Sequence, residues 1–380
     1  MLLAAVFLGA LFLAYANGAN DNFKGVATLY GSYTASYRVA LFIGTIATFA
    51  GSLSALFIAS DLIKTFSGSG VVPPEVAGSP IFAASVAIGA AATVLLATRF
   101  GLPVSTTHAL IGAILGAGWV SVGTHLDLDI LGRSFVLPLL LSPLLAVALA
   151  LPLYSFLHHA AERFAIRRDT CVCLDGSQLI PVRHLQMAGT GESHFAVATL
   201  EPSGQLVTVG SHRQCVEKYQ GRVVGVPVRA LTDGLHFLSA AAVSYARGLN
   251  DTPKLLGLLL VVELLDLRFG VLMIAGAMAA GGLINARKVA MAMSRRISRM
   301  NDGQALTANL VTAFLVIVAS RLGAPVSTTQ VSVGAIAGIG IVNRSLDRTM
   351  VGAILTFWLL TVPIAFALAL DANLLLRAIG

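Results

Sequence analysis

The chain has 380 residues, 56% of them hydrophobic and 11% charged, under half the roughly 25% charged share of a soluble globular protein. That low charge, with repeated apolar runs of about 20 residues that fit a bilayer, excludes soluble enzymes and disulfide-framed secreted domains, and Cys171, Cys173 and Cys215, odd in number and in one polar stretch, frame no disulfide scaffold. The formal net charge is +7, but the cations gather between apolar segments as orientation signals do, so no nucleic-acid partner is expected.

The chain begins apolar at Met1–Ala16 with no basic region ahead of it and runs straight into Asn17-Gly18-Ala19-Asn20-Asp21, so no cleaved leader is expected. Further apolar stretches cover about 39–60, 80–98, 102–122 and 131–157, then about 235–249, 269–286, 304–320, 325–342 and 350–370. That makes ten candidate membrane segments in two groups of five. Between the groups, about 162–230 holds eight of the 25 Lys and Arg residues and alternating runs such as Phe195–Leu200 and Gln205–Val209. These predict a small β-rich, water-facing insert. The expected organisation is a first transmembrane repeat over 1–160, an insert over 161–232 and a second repeat over 233–380.

Two polar motifs occur twice, in the same order. Tyr15-Ala-Asn-Gly-Ala-Asn-Asp-Asn-Phe-Lys24 aligns with Tyr245-Ala-Arg-Gly-Leu-Asn-Asp-Thr-Pro-Lys254. Gly101-Leu-Pro-Val-Ser-Thr-Thr-His108 aligns with Gly323-Ala-Pro-Val-Ser-Thr-Thr-Gln330, and both run on into Gly-Ala-Ile at Gly112 and Gly334. Duplicated halves mark many transporter folds. Charge argues that the halves are inverted. The loop from Asp61 to Pro80 carries one Lys, whereas its counterpart carries Arg287, Lys288, Arg295, Arg296 and Arg299, so equivalent loops face opposite sides. Placing the insert in the cytoplasm also puts Arg38, Arg99, Arg344 and Arg348 inside and both termini outside. The predicted fold is an all-α polytopic protein of the cell membrane: two inverted five-segment repeats with broken or re-entrant helices, plus the cytoplasmic insert.

An Asp at the centre of a membrane helix costs roughly 2.5–3.5 kcal/mol on insertion scales, so it needs a partner or a cavity. Asp21 and Asp251 each follow an Asn (Asn20, Asn250) and precede a Lys by three residues (Lys24, Lys254), which puts carboxylate and ammonium on one helical face. The bland reading is a self-neutralising pair. Its repetition beside Gly18 and Gly248, with Pro253 interrupting the second copy, favours broken helices lining a cavity. Pro103 and Pro325 disfavour helix just before them, and Ser105 and Ser327 are good N-caps for the segments that follow. The exposed helix N-termini and the hydroxyls of Ser105, Thr106, Thr107, Ser327, Thr328 and Thr329 together suit an oxyanion, although Ser and Thr also simply join helices.

These residues resemble the PiT-type inorganic phosphate transporter family. Gly18-Ala-Asn-Asp21 and Gly248-Leu-Asn-Asp251 are similar to its duplicated Gly-Ala-Asn-Asp signature, and the Pro-Val-Ser-Thr-Thr motifs to its second element. The resemblance spans both halves but not the insert. It implies phosphate uptake coupled to Na⁺ or H⁺, with Asn20, Asp21, Ser105, Thr106, Thr107, Asn250, Asp251, Ser327, Thr328 and Thr329 as substrate site and Asn20, Asp21, Asn250 and Asp251 as coupling-ion site. Lys24 and Lys254 stand where family members usually carry Asn. An ammonium has three donors and no acceptor, so each Lys either replaces a bound cation or contacts the anion itself. Both are therefore added to the substrate site, and sulfate or another oxyanion remains open as cargo.

Beyond the repeats, His108 opposite Gln330 is a candidate proton carrier or a plain hydrogen-bonding residue. Cys171, Cys173, Cys215, His184, His194 and His212 match no familiar zinc spacing, so no metal beyond Na⁺ and no cofactor are expected. Arg287–Arg299 is expected at the cytoplasmic lipid surface, and a homo-oligomer is compatible with such a chain. No nucleotide-binding Gly-x-x-x-x-Gly-Lys-Ser/Thr loop occurs. The leading expectation is thus a secondary carrier rather than an enzyme. An intramembrane enzyme using Asp21 or Asp251 and a passive anion channel stand as the alternatives.

Overall fold

The computed structural model describes residues 1–68, 70–163, 167–169, 171–174, 178–181, 218–220, 222–223, 226–262, 266–295, 300, 302–342 and 346–379. Phe195–Leu200, Gln205–Val209, Cys215, His184, His194, His212, Arg296, Arg299 and Arg344 lie outside the described residues. The chain divides into a unit of Met1–Leu157 with Gly234–Gly380 and a second unit of His158–Asp233. In the second unit three short antiparallel pairs are described: Arg167–Asp169 with Lys218–Gln220, Cys171–Leu174 with Gln178–Pro181, and Arg222–Val223 with Val226–Pro227.

The first unit is helical. Its helices are α1 (Leu2–Asp21), α2 (Ala27–Gly31), α3 (Tyr37–Ile58), α4 (Pro80–Arg99), α5 (Thr106–Val122), α6 (Leu137–Arg163, its end after Leu157 counted with the second unit), α7 (Val228–Leu259, its start before Gly234 likewise), α8 (Leu267–Asn285), α9 (Arg287–Arg295), α10 (Asp302–Arg321), α11 (Thr328–Val342) and α12 (Arg348–Ile379), with a few short turns between them. Among the described residues seven helical stretches are long and apolar enough to cross a membrane: Leu2–Gly31, Tyr37–Ile58, Pro80–Arg99, Leu128–Leu157, Leu267–Asn285, Gly303–Arg321 and Val351–Ile379. Thr106–Val122 and Thr328–Val342 are shorter apolar helices. Leu8, Phe42, Phe57, Leu238 and Leu359 point outward, where a bilayer is their solvent. This is a multi-pass helical membrane protein.

Local chemistry sets the helix ends. Ser36 caps α3 by accepting from Val39 N at 3.4 Å, and Asp266 caps α8 by accepting from Arg268 N at 2.8 Å. Two sequence expectations shift. The break expected at Pro253 is absent: α7 runs unbroken from Val228 to Leu259 with Pro253 inside it. A proline forfeits one backbone bond, which a packed membrane helix tolerates. The break falls in the first copy instead, where α1 stops at Asp21 and a 3₁₀ turn at Lys24–Val26 precedes α2. The stretches expected to begin at 102 and 325 become helical only at Thr106 and Thr328, because the Pro-Val segments ahead of them are extended.

Helix contacts are exchanged between the two sequence halves through glycine. A Cβ at Gly18 of α1 would lie 1.9 Å from the Met278 carbonyl oxygen of α8, and one at Gly281 of α8 would lie 1.9 Å from that of Tyr15. The equivalent crossing joins α3 and α7: Gly51 would meet Tyr245 O at 2.0 Å and Gly248 would meet Thr48 O at 2.1 Å. Gly112 and Gly116 of α5 lie against Val362 and Phe366 of α12, as Gly334 and Gly338 of α11 lie against Pro143 and Val147 of α6. Such small-residue contacts let helix backbones approach where lipid supplies no hydrophobic drive. Gly18→Ala should therefore lower thermal stability in detergent by the equivalent of about 1–3 kcal/mol, as overpacking does. Gly276→Ala on α8, where a Cβ would meet nothing within 4 Å, should leave it unchanged. Equal melting temperatures for the two variants would refute the backbone-contact account.

Candidate functional site

Two extended loops, 101–105 and 323–327, meet the end of α1 and the middle of α7. Each loop is turned by a glycine in the left-handed region, Gly101 at φ +70° and Gly323 at φ +67°, a conformation that side chains resist. Each is then clamped by the Asn of its own half. Asn20 Nδ2 donates to Thr98 Oγ1 and Leu102 O, both at 2.9 Å, and its Oδ1 accepts from Val104 N at 3.1 Å. Asn250 Nδ2 donates to Val326 O at 3.3 Å, and its Oδ1 accepts from Ser320 Oγ at 3.2 Å. Ser105 Oγ accepts from His108 N at 3.2 Å and Ser327 Oγ from Gln330 N at 3.3 Å, so both serines cap the helices that follow.

The lysines tie the halves together reciprocally. Lys24 Nζ donates to Asp21 Oδ1, to Val104 O at 2.6 Å and to Thr329 Oγ1 at 2.6 Å. Lys254 Nζ donates to Asp251 Oδ1 at 3.2 Å, to Val326 O at 2.8 Å and to Thr107 Oγ1 at 2.8 Å. Each ammonium thus binds its own half's aspartate and loop carbonyl and the other half's last threonine. The threonines complete the exchange, Thr329 donating to Val104 O at 3.0 Å and Thr107 to Val326 O at 3.3 Å. Phe66 lies under Lys254, 5.6 Å from Nζ to the ring centre, an added cation–π contact.

Asn17 and Arg247, which sequence reasoning did not single out, join the two clusters. Asn17 Nδ2 lies 3.2 Å from Asp21 Oδ2, 2.9 Å from Thr106 Oγ1 and 3.2 Å from Asp251 Oδ2, so one amide reaches both carboxylates. Thr106 Oγ1 also donates to Asp21 Oδ2 at 3.1 Å. Arg247 Nη2 donates to Asn17 Oδ1 at 2.6 Å, Nη1 to Asn22 Oδ1 at 3.1 Å and Thr48 Oγ1 at 3.2 Å, and Nε lies 3.5 Å from Asp251 Oδ2. The signal for both was their spacing: each sits four residues before an aspartate, on the same helical face.

All twelve sequence-predicted residues are buried in this region, and the structure brings Asp21, Lys24, Thr106, Thr107, Asp251, Lys254 and Thr329 into one hydrogen-bonded cluster. Asn20, Asn250, Ser105 and Ser327 bond to the loops and helix ends, and Thr328 stands beside Thr329 at the start of α11. His108 Nε2 lies 3.5 Å from Gln330 Nε2, so this unmatched pair also meets across the halves. Among the described residues no His, Cys, Asp and Glu group could hold a metal ion.

Chemically, the cluster is a buried ionic lattice in which Lys24, Arg247 and Lys254 face Asp21 and Asp251. Breaking a buried pair on one side leaves the remaining member without the counter-charge in contact with it, at a cost of about 3–5 kcal/mol. Lys24→Met should therefore destabilise the protein strongly in detergent, and adding Asp21→Asn should recover most of the loss. A double variant no more stable than the single one would show that the broken ion pair is not the main source of that loss.

The sequence profile of the phosphate transporter family matches residues 17–369. Similar chains include two proteins whose names class them as phosphate permeases. The one from Thermococcus kodakarensis is 26% identical, with 97% of this chain and 96% of that protein aligned. The one from Haemophilus influenzae is 27% identical, with 99% and 96% aligned. A Rhizobium meliloti protein named "Probable low-affinity inorganic phosphate transporter" is 24% identical over 96% of this chain and 93% of its own. A solved structure described as "The sodium-dependent phosphate transporter" shares the fold, with TM-score 0.76, 20% identity and complete coverage of both chains. With nearly the whole helical unit inside that profile, the chain belongs to the phosphate transporter family and is a membrane transporter rather than an enzyme.

Proposed function

We propose that this protein carries inorganic phosphate across the cell membrane as a secondary active transporter coupled to a Na⁺ or H⁺ gradient. The observation that carries the reading is the reciprocal pair of bridges from Lys24 to Thr329 and from Lys254 to Thr107. They draw the loops of both halves onto one buried, cation-rich place. Donors suited to a tetrahedral oxyanion adjoin it: the N–H groups of Thr106, Thr107, Thr328 and Thr329, which precede the first intrahelical bonds of α5 and α11, and the Thr328 hydroxyl, with the buried Arg247 guanidinium adding positive charge.

The two halves act as inverted repeats that rock about this place. The glycine-lined crossings of α1 on α8 and of α3 on α7 support that symmetry, and the Lys/Arg imbalance between equivalent loops supports opposite orientation. Both termini then lie outside, and the 161–232 insert is a cytoplasmic, β-rich module.

Accumulation in proteoliposomes tests this directly. Labelled phosphate should rise above its external concentration when an ion gradient is imposed, and excess unlabelled sulfate should compete poorly. Mere equilibration would indicate a channel, and preferential accumulation of sulfate would overturn the phosphate assignment.

A further inference from the structure

We infer that Lys24 and Lys254 are tethered counter-cations occupying the oxygen cages that a dissociable Na⁺ would need, so that this protein moves phosphate without Na⁺. The inference rests on the phosphate reading above and narrows its coupling.

A hard cation seeks carboxylate, carbonyl and hydroxyl oxygens. Each ammonium already holds one of every kind: Asp21 Oδ1, Val104 O and Thr329 Oγ1 around Lys24, and Asp251 Oδ1, Val326 O and Thr107 Oγ1 around Lys254. Three donors meet three acceptors, so both lysines are saturated. The other oxygens of the aspartates and asparagines are also engaged. Asp21 Oδ2 accepts from Asn17 and Thr106, Asp251 Oδ2 from Asn17, Asn20 Oδ1 from Val104 N, and Asn250 Oδ1 from Ser320. A Na⁺ entering here would have to displace an ammonium that is covalently attached and cannot leave.

The charge balance points the same way. Lys24, Arg247 and Lys254 face Asp21 and Asp251, and none of the five is more than 4% exposed. The cluster therefore holds a surplus of one positive charge in a desolvated setting, where unpaired charge is costly. A further cation would enlarge that surplus, whereas an oxyanion removes it. The anion needs no Na⁺ to be welcome.

The test uses the purified full chain in liposomes, with Na⁺ replaced by choline at constant pH and ionic strength. Apparent phosphate affinity should change by less than about twofold, against the roughly 5–150-fold expected of a coupled ligand, and labelled Na⁺ should not enter with phosphate. Uptake that requires Na⁺, or labelled Na⁺ accompanying each phosphate, overturns this inference and leaves the phosphate reading intact. No phosphate uptake with either cation overturns both. In the Lys24→Asn, Lys254→Asn double variant the vacated cages should make uptake Na⁺-stimulated; uptake equally indifferent to Na⁺ would count against the tethered-cation role. Na⁺ stoichiometry in the unmodified protein decides the question even if that variant does not fold.

Discussion

The structure turns on one constraint: charges taken out of water must find partners, and here part of each partner set lies in the other half of the chain. Lys24 cannot be satisfied without Thr329, nor Lys254 without Thr107. Either half alone would bury an ammonium short of an acceptor, at the cost that attends unpaired polar groups in an apolar medium. The polar centre thereby fixes how the halves dock, and the glycine contacts around it permit the approach. Because lipid rewards packing and hydrogen bonding rather than hydrophobic burial, these two features together carry the association of the halves.

The same centre departs from strict symmetry in charge at one aligned pair of positions. Asn17 and Arg247 are equivalent in the aligned motifs, yet Arg247 crosses to bind Asn17 and Asn22 while Asn17 spans both aspartates. A second arginine at position 17 would raise the charge surplus, and a second asparagine at 247 would remove it. The single substitution leaves an excess of one positive charge, which suits an anionic guest.

Much of this was legible in the sequence, for physical reasons. Buried polar motifs in an apolar chain are expensive, so their duplication pointed to two halves and to most residues of the buried polar cluster, and the Ser-Thr-Thr pattern after Pro-Val announced the capped starts of α5 and α11. What the sequence hid was partnership. Alignment equates Lys24 with Lys254 but does not reveal that each reaches the other half's threonine. Thr98 and Ser320, which bond Asn20 and Asn250, lie inside apolar stretches where a hydroxyl reads as an ordinary bond to the preceding turn. Pro253 is the stronger local signal for a break, yet packing holds α7 straight through it and the first copy bends after Asp21 instead.

The central claim is that both halves build a single oxyanion site. Phosphate titration of the purified protein by calorimetry tests it most directly, with Thr107→Val and Thr329→Val compared side by side. The account predicts one phosphate per chain, with both substitutions weakening that same site by similar factors. Two phosphates per chain, each lost with only one substitution, would contradict it.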